Sequence, residues 1–239
     1  MPYSLYTGLI YLLSCFVFIF GAYKFHKVWE QGRNFVSKIF SWLFIFVAVA
    51  NFLHGIVVML IFFVKPELFY LTIVDRPIIF AVPMGIFGYL AVFLWYPRIS
   101  PKWGFIFSFS ACFIVGLFNI IPPILSFLST KETIPWERNL VLGICGSLAF
   151  VIPAIWIVSA FYLQAMKTDN QKIKIRAACF GTACLIGHIS AGIGVFFANF
   201  MQFNPFFADL GMAVVSLILF LVLLLVPSVG QVPYTKLVE

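Results

Sequence analysis

The chain has 239 residues, of which 63% are hydrophobic and only 10% are charged, and its formal net charge is +7. A mean hydropathy of +1.09 is far above that of soluble domains and excludes a soluble globular protein. The few positive charges are divided among short connections, which excludes a nucleic-acid-binding surface.

Seven apolar stretches fill the chain almost from end to end, and each has about the 20 residues that a helix needs to cross a bilayer. We place them at Tyr6–Tyr23, Phe40–Val64, Ile78–Tyr96, Trp103–Leu128, Leu140–Met166, Ala177–Phe200 and Phe206–Val226. No segment between them is long enough to fold alone. Residues 1–239 are therefore predicted to form one all-α domain, a polytopic membrane bundle of seven transmembrane helices without a soluble domain.

The Lys and Arg residues fall mainly in connections that would share one side of the membrane. With the N-terminus outside, eleven of the 15 basic residues are cytoplasmic. These are Lys24, Lys27, Arg33, Lys38, Arg98, Lys102, Lys167, Lys172, Lys174, Arg176 and Lys236. The positive-inside rule then predicts an N-out, C-in protein, multi-pass in the plasma membrane. Membrane lipids are expected partners, because basic loops attract anionic headgroups.

Polar residues inside the spans are concentrated toward the external side. Asn51 and His54 lie in the outer half of the second span, three residues apart and hence on one helix face. Because polar groups in a bilayer usually face the bundle interior and often mark a site, we predict an outward-facing polar pocket. Its candidate ligand-binding residues are Asn51, His54, Asp75, Arg76, His188 and Asp209.

Each of these residues also has a purely structural interpretation. Asp75 precedes Arg76 and Pro77, which is typical of a helix start with an N-cap and a proline in the first turn. Asp209 lies near the positive end of the dipole of the last helix. Interhelical hydrogen bonds would equally account for His54 and His188.

The sixth span has small residues at every fourth position, a pattern that permits close approach of a second helix. The predicted helix-packing residues are Gly181, Ala183, Gly187, Ala191 and Gly194. Packing inside this bundle, a groove for a flat ligand and an interface between molecules all remain open. The five cysteines all lie within spans, as small packing residues do, and no metal-ligand pattern is present.

Two features are similar to the seven-helix membrane input regions at the start of some bacterial signalling proteins. They are residues 172–176, which lead into the glycine-rich sixth span, and the short connection 204–209 before an aliphatic seventh span. The resemblance covers most of the chain and implies a sensor region that works through partners. The kinase or cyclase output domain of such proteins has no counterpart up to Glu239, so no catalytic activity is implied.

The expected function is therefore that of a non-enzymatic binding or sensing module acting through a membrane or cytoplasmic protein partner. An alternative is a b-type haem or quinone-binding redox subunit, with His54 and His188 as axial ligands and the adjacent glycines giving room for a macrocycle. It is the only enzymatic alternative, and no other cofactor is expected. A transporter and a structural accessory subunit are further alternatives.

Overall fold

The computed structural model describes residues 2–32, 35–63, 71–96, 98–129, 140–171, 173–175, 177–186 and 205–225. Over these residues the protein is helical and contains no strand, which confirms the predicted all-α class. The helices are α1 (Pro2–Gly32), α2 (Phe35–Phe63), α3 (Leu71–Trp95), α4 (Pro101–Ser129), α5 (Leu140–Lys167), α6 (described over 177–186) and α7 (Pro205–Leu225).

Three helices in the described part of the chain are long and apolar enough to cross a membrane. They span Leu5–Gly32, Phe35–Leu60 and Ile78–Trp95. Shorter apolar helices cover Val151–Lys167 and Ala213–Leu224. Lengths and compositions of this kind fit a membrane protein.

The two largest differences between the helix boundaries and the predicted spans are at the end of α1 and at the start of α3. Helix α1 continues nine residues past Tyr23, because the polar segment after it contains good helix formers and no glycine or proline before Gly32. Helix α3 begins at Leu71, so the expectation that Asp75 caps it is wrong. Pro77 then lies in the second turn of the helix and not in its first.

The short connections between helices are defined by polar residues. Ser100 precedes Pro101, the first residue of α4, and the carbonyl oxygen of Ser100 accepts a hydrogen bond from the amide of Trp103 at 3.1 Å. After α5, the side chain of Asn170 accepts a hydrogen bond from the amide of Ile173 at 3.4 Å. Both residues satisfy amides that the first turn of a helix leaves unpaired.

Helices α1 and α2 form an antiparallel pair, whereas α1 and α7 run parallel. In the first pair, Ser41 donates a hydrogen bond to the carbonyl oxygen of Ala22 at 3.1 Å, and Gly8 faces Gly55 further along. In the second pair, Ser14 contacts Ser216 and Phe20 contacts Phe220. Residue numbers therefore increase in the same direction along both helices. Helix α3 packs on α2, α4 and α5, and α4 also packs on α5.

An aromatic cluster joins four helices near the turn between α1 and α2. Its rings are those of Phe25, Phe40, Phe44, Phe161 and Phe180. The end of the bundle next to this cluster, where α1, α3 and α5 finish, is called the basic end here. Its described cationic side chains are Lys24, Lys27, Lys38, Arg98, Lys102, Lys167 and Lys174, against the acidic Glu30 and Asp169.

Candidate functional site

The site begins with a close crossing of α1 and α2 at two glycines, away from the basic end. A Cβ atom on Gly8 would lie 3.2 Å from the carbonyl oxygen of Gly55, and one on Gly55 would lie 3.2 Å from that of Gly8. Such contacts are tighter than ordinary packing, so a side chain at either position would push the two backbones apart by a few tenths of an ångström. The crossing determines which neighbouring side chains meet between the two helices.

One turn from this crossing, the side chains of Tyr11 and His54 are in contact. Their ring centroids are 4.5 Å apart and the ring planes form an angle of 78°, an edge-to-face arrangement. Both residues are buried, and only 1% of His54 is exposed. An imidazole in the apolar interior of the bundle thus has an aromatic neighbour contributed by α1.

Asn51 lies one turn before His54 on the same face of α2. It is 0% exposed. Neither its side-chain oxygen nor its side-chain nitrogen has a hydrogen-bond partner among the residues that the structure describes. A buried amide left in this state destabilises a protein by about 1–3 kcal/mol. The amide is therefore available to a group from outside the described part of the chain.

The facing side of α1 is also polar. Thr7, Tyr11 and Ser14 recur at intervals of four and three residues and are all buried. Ser216 of α7 shares a hydrogen bond with Ser14 across a distance of 2.8 Å. We call Thr7, Tyr11, Ser14, Asn51 and His54 the polar seam. It runs along the α1–α2 interface, and the serine pair attaches α7 to it.

The structure places two of the six candidate ligand-binding residues, Asn51 and His54, together in this seam. The backbones of Asp75 and Arg76 belong to α3, and that of Asp209 belongs to α7. The structure does not describe the side chains of these three residues. His188 also lies outside the described residues. The structure therefore gives no distance between the two histidines that were predicted to share a ligand.

The small residues of α6 are described at two of the five predicted positions, and both pack inside the bundle. A Cβ on Gly181 would lie 3.2 Å from the Cβ of Phe161 on α5, and Ala183 belongs to the buried core. Gly187, Ala191 and Gly194 lie outside the described residues. A closer crossing joins α3 and α4, where a Cβ on Gly88 would overlap the carbonyl oxygen of Gly104.

The contribution of α1 and α7 to the site was not predicted from the sequence. Thr7, Tyr11 and Ser14 lie in a span that otherwise resembles lipid-facing helix, and Ser216 is flanked by aliphatic residues. The signal that could have revealed the first three is their helical spacing, which places three polar groups on one face. The same spacing places Gly8 beside them.

The seam offers hydrogen-bonding groups without a described metal site. The described residues contain no group of three or more His, Cys, Asp or Glu side chains that could hold a metal ion. The space beside Gly55, where a macrocycle would need room, is filled by the backbone of Gly8 and the side chain of Leu12.

Comparison of the chain with protein-family models, with curated proteins and with solved structures found no match.

Proposed function

We propose that this chain is a seven-span protein of the plasma membrane, with its N-terminus outside and its C-terminus in the cytoplasm, and that it is a non-enzymatic binding or sensing module. The binding site is the buried polar seam, on the external side of the bundle. Ligand binding changes the conformation of the bundle, and this change alters its contact with a partner protein at the basic end.

Three observations support membrane insertion in this orientation. Helices α1, α2 and α3 are long and apolar enough to cross a bilayer. Helices α1 and α7 run parallel, as the first and last helices of seven alternating spans must. The basic end carries seven described cationic side chains against two acidic ones, the asymmetry that retains a loop in the cytoplasm.

The single observation that carries the binding function is the buried Asn51 amide without a described hydrogen-bond partner. A leucine at this position would have the same branching and no polar atoms to satisfy. An amide whose donor and acceptor both lack a partner among the described residues is complementary to a ligand that presents the same pair, such as a carboxamide, a carboxylic acid or an alcohol. His54, one turn away, adds a second polar group to the same seam.

The fold also supplies a route from the seam to the opposite end of the bundle. Helix α1 is continuous for 31 residues, a length of about 46 Å, and carries Tyr11 near its start and Lys24 and Lys27 near its end. A ligand that separates α1 from α2 at the seam would tilt the whole helix. The lysines that a partner protein contacts would then move.

The redox alternative has less support from the geometry. Gly55 is used for contact with α1, and His54 is covered by Tyr11, so the described residues leave no room for a macrocycle on that side. An absorption spectrum of the purified protein separates the two functions. A Soret band would establish a haem protein and overturn the sensing proposal.

The direct test is to identify small molecules that accompany the protein. The full chain is extracted with its surrounding lipid into polymer nanodiscs, and the bound small molecules are released and analysed by mass spectrometry. We expect a polar compound in the wild type that is absent from Asn51→Leu. Ser41→Ala is the matched control, because it removes another buried polar side chain of α2, 15 Å away along the helix.

The expected control result is retention of the compound in Ser41→Ala. Identical extracts from the wild type and Asn51→Leu would overturn the proposal that the seam binds a ligand. Loss of the compound from both variants would also overturn it, because binding would then depend on general stability and not on the amide.

A further inference from the structure

The turn between α3 and α4 differs from the rest of the basic end in its charge. It presents two exposed cations, Arg98 and Lys102. The sequence contains no acidic residue between Asp75 and Glu132, so this helical hairpin has positive charge alone at its turn. Neither cation has an ion-pair partner among the described residues.

At the other turns of the basic end, two of the cations have aromatic neighbours, and each turn also carries an acidic residue. At the α1–α2 turn, Lys38 lies over the ring of Trp29 at 5.0 Å, and Lys24 lies over that of Phe20 at 5.3 Å. Glu30 adds a negative charge there, and Asp169 adds one at the turn after α5. Arg98 and Lys102 thus lie at a turn of the basic end where no acidic side chain competes with an anion from outside the chain.

Large apolar side chains lie directly beside these cations and are exposed. Trp103 is 65% exposed, and Phe107, four residues later on the same face of α4, is 72% exposed. Tyr96 and Ile99 are exposed on the other side of the turn. Tryptophan and tyrosine next to Lys or Arg at the end of a transmembrane helix are typical of the headgroup level of a bilayer.

We propose that the α3–α4 turn binds an anionic phospholipid. Arg98 and Lys102 hold the phosphate of the headgroup, and Trp103 and Phe107 lie along the glycerol backbone and the first part of an acyl chain. An acidic protein surface would match the cations but not the exposed rings. A lipid matches both, because its charge and its apolar chains are adjacent in one molecule. The site requires membrane insertion but does not depend on a ligand in the polar seam.

The test compares lipids of equal chain length and different headgroup charge. The full chain is delipidated in detergent and titrated with phosphatidylglycerol or phosphatidylcholine, and bound lipids are counted by native mass spectrometry. We expect phosphatidylglycerol to be retained preferentially. The double substitution R98Q/K102Q should weaken this binding roughly tenfold or more, since each cation near an anionic surface contributes about fivefold.

The matched control is K27Q/K174Q, which removes the same amount of charge from the other two turns of the basic end. It should bind phosphatidylglycerol like the wild type, and the charge-preserving R98K/K102R should retain most of the binding. Trp103→Ala should weaken the binding of phosphatidylglycerol. It should not change the binding of glycerol phosphate, which has the phosphate but no acyl chains. Equal weakening by both Gln variants would overturn the site in favour of diffuse attraction. Equal binding of the two lipids, or of glycerol phosphate and lipid, would overturn it as well.

Discussion

The imidazole of His54 and the ring of Tyr11 are in edge-to-face contact, with 4.5 Å between the ring centroids. This contact joins two helices that approach each other closely at Gly8 and Gly55, one turn away. Asn51 lies one turn before His54 on the same face of α2 and is also buried.

If the Asn51 amide lacks a partner in the ligand-free protein, removing it should stabilise the fold. We expect Asn51→Leu to raise the free energy of unfolding by about 1–3 kcal/mol, because leucine has the same branching and nothing to satisfy. Thermal unfolding of the purified protein in detergent measures this change. Ser41→Ala is expected to move in the opposite direction, since it removes a hydrogen bond to Ala22. A loss of stability in Asn51→Leu would show that the amide is already paired.

The hydrogen bond between Ser14 and Ser216 predicts a measurable coupling between α1 and α7. Each single alanine substitution leaves the other hydroxyl in an apolar interface, and the double substitution removes both groups. A double-mutant cycle of unfolding free energies should therefore give a coupling of about 0.5–1.5 kcal/mol. Strictly additive effects would contradict direct contact of the two hydroxyls.

The sequence predicts the helical class of this fold better than it predicts the ends of the individual helices. The length of the apolar stretches predicts the all-helical class, and α5 and α7 end within one residue of the expected positions. The end of α1 could not be found from hydropathy, because the helix continues through polar residues to Gly32. Hydropathy reports which part of a helix can be in lipid, and not where its hydrogen bonding stops.

The site was predictable only on one of its two sides. Asn51 and His54 were identified because an amide and an imidazole are costly in a bilayer and must face the interior. Tyr11 and Ser14 were not, since Tyr and Ser are common on lipid-facing and buried surfaces alike. Which helix covers α2 is a property of the packed bundle, and one sequence does not encode it in any local pattern.

The glycine crossing of α3 and α4 predicts a strong effect from a single methyl group. A Cβ on Gly88 would overlap the carbonyl oxygen of Gly104 and the side chain of Ser108, so the two helices must separate. We expect Gly88→Ala to lower the free energy of unfolding by about 1–3 kcal/mol. Gly32→Ala is the control, because a Cβ there has nothing within 4 Å. Equal stability of the two variants would contradict the close crossing.

The orientation can be tested by labelling single cysteines with a maleimide that does not cross membranes. Gln31→Cys, Ser100→Cys and Asn170→Cys place a thiol at the three turns of the basic end, where the described side chains are exposed. We expect these variants to react only after the cells are permeabilised, whereas Ser4→Cys and Lys131→Cys should react in intact cells. The wild type, whose five cysteines all lie in predicted spans, gives the background. The reverse pattern would establish an N-in protein. A mixed pattern among the three basic turns would contradict seven alternating spans, because those turns must share one side of the membrane.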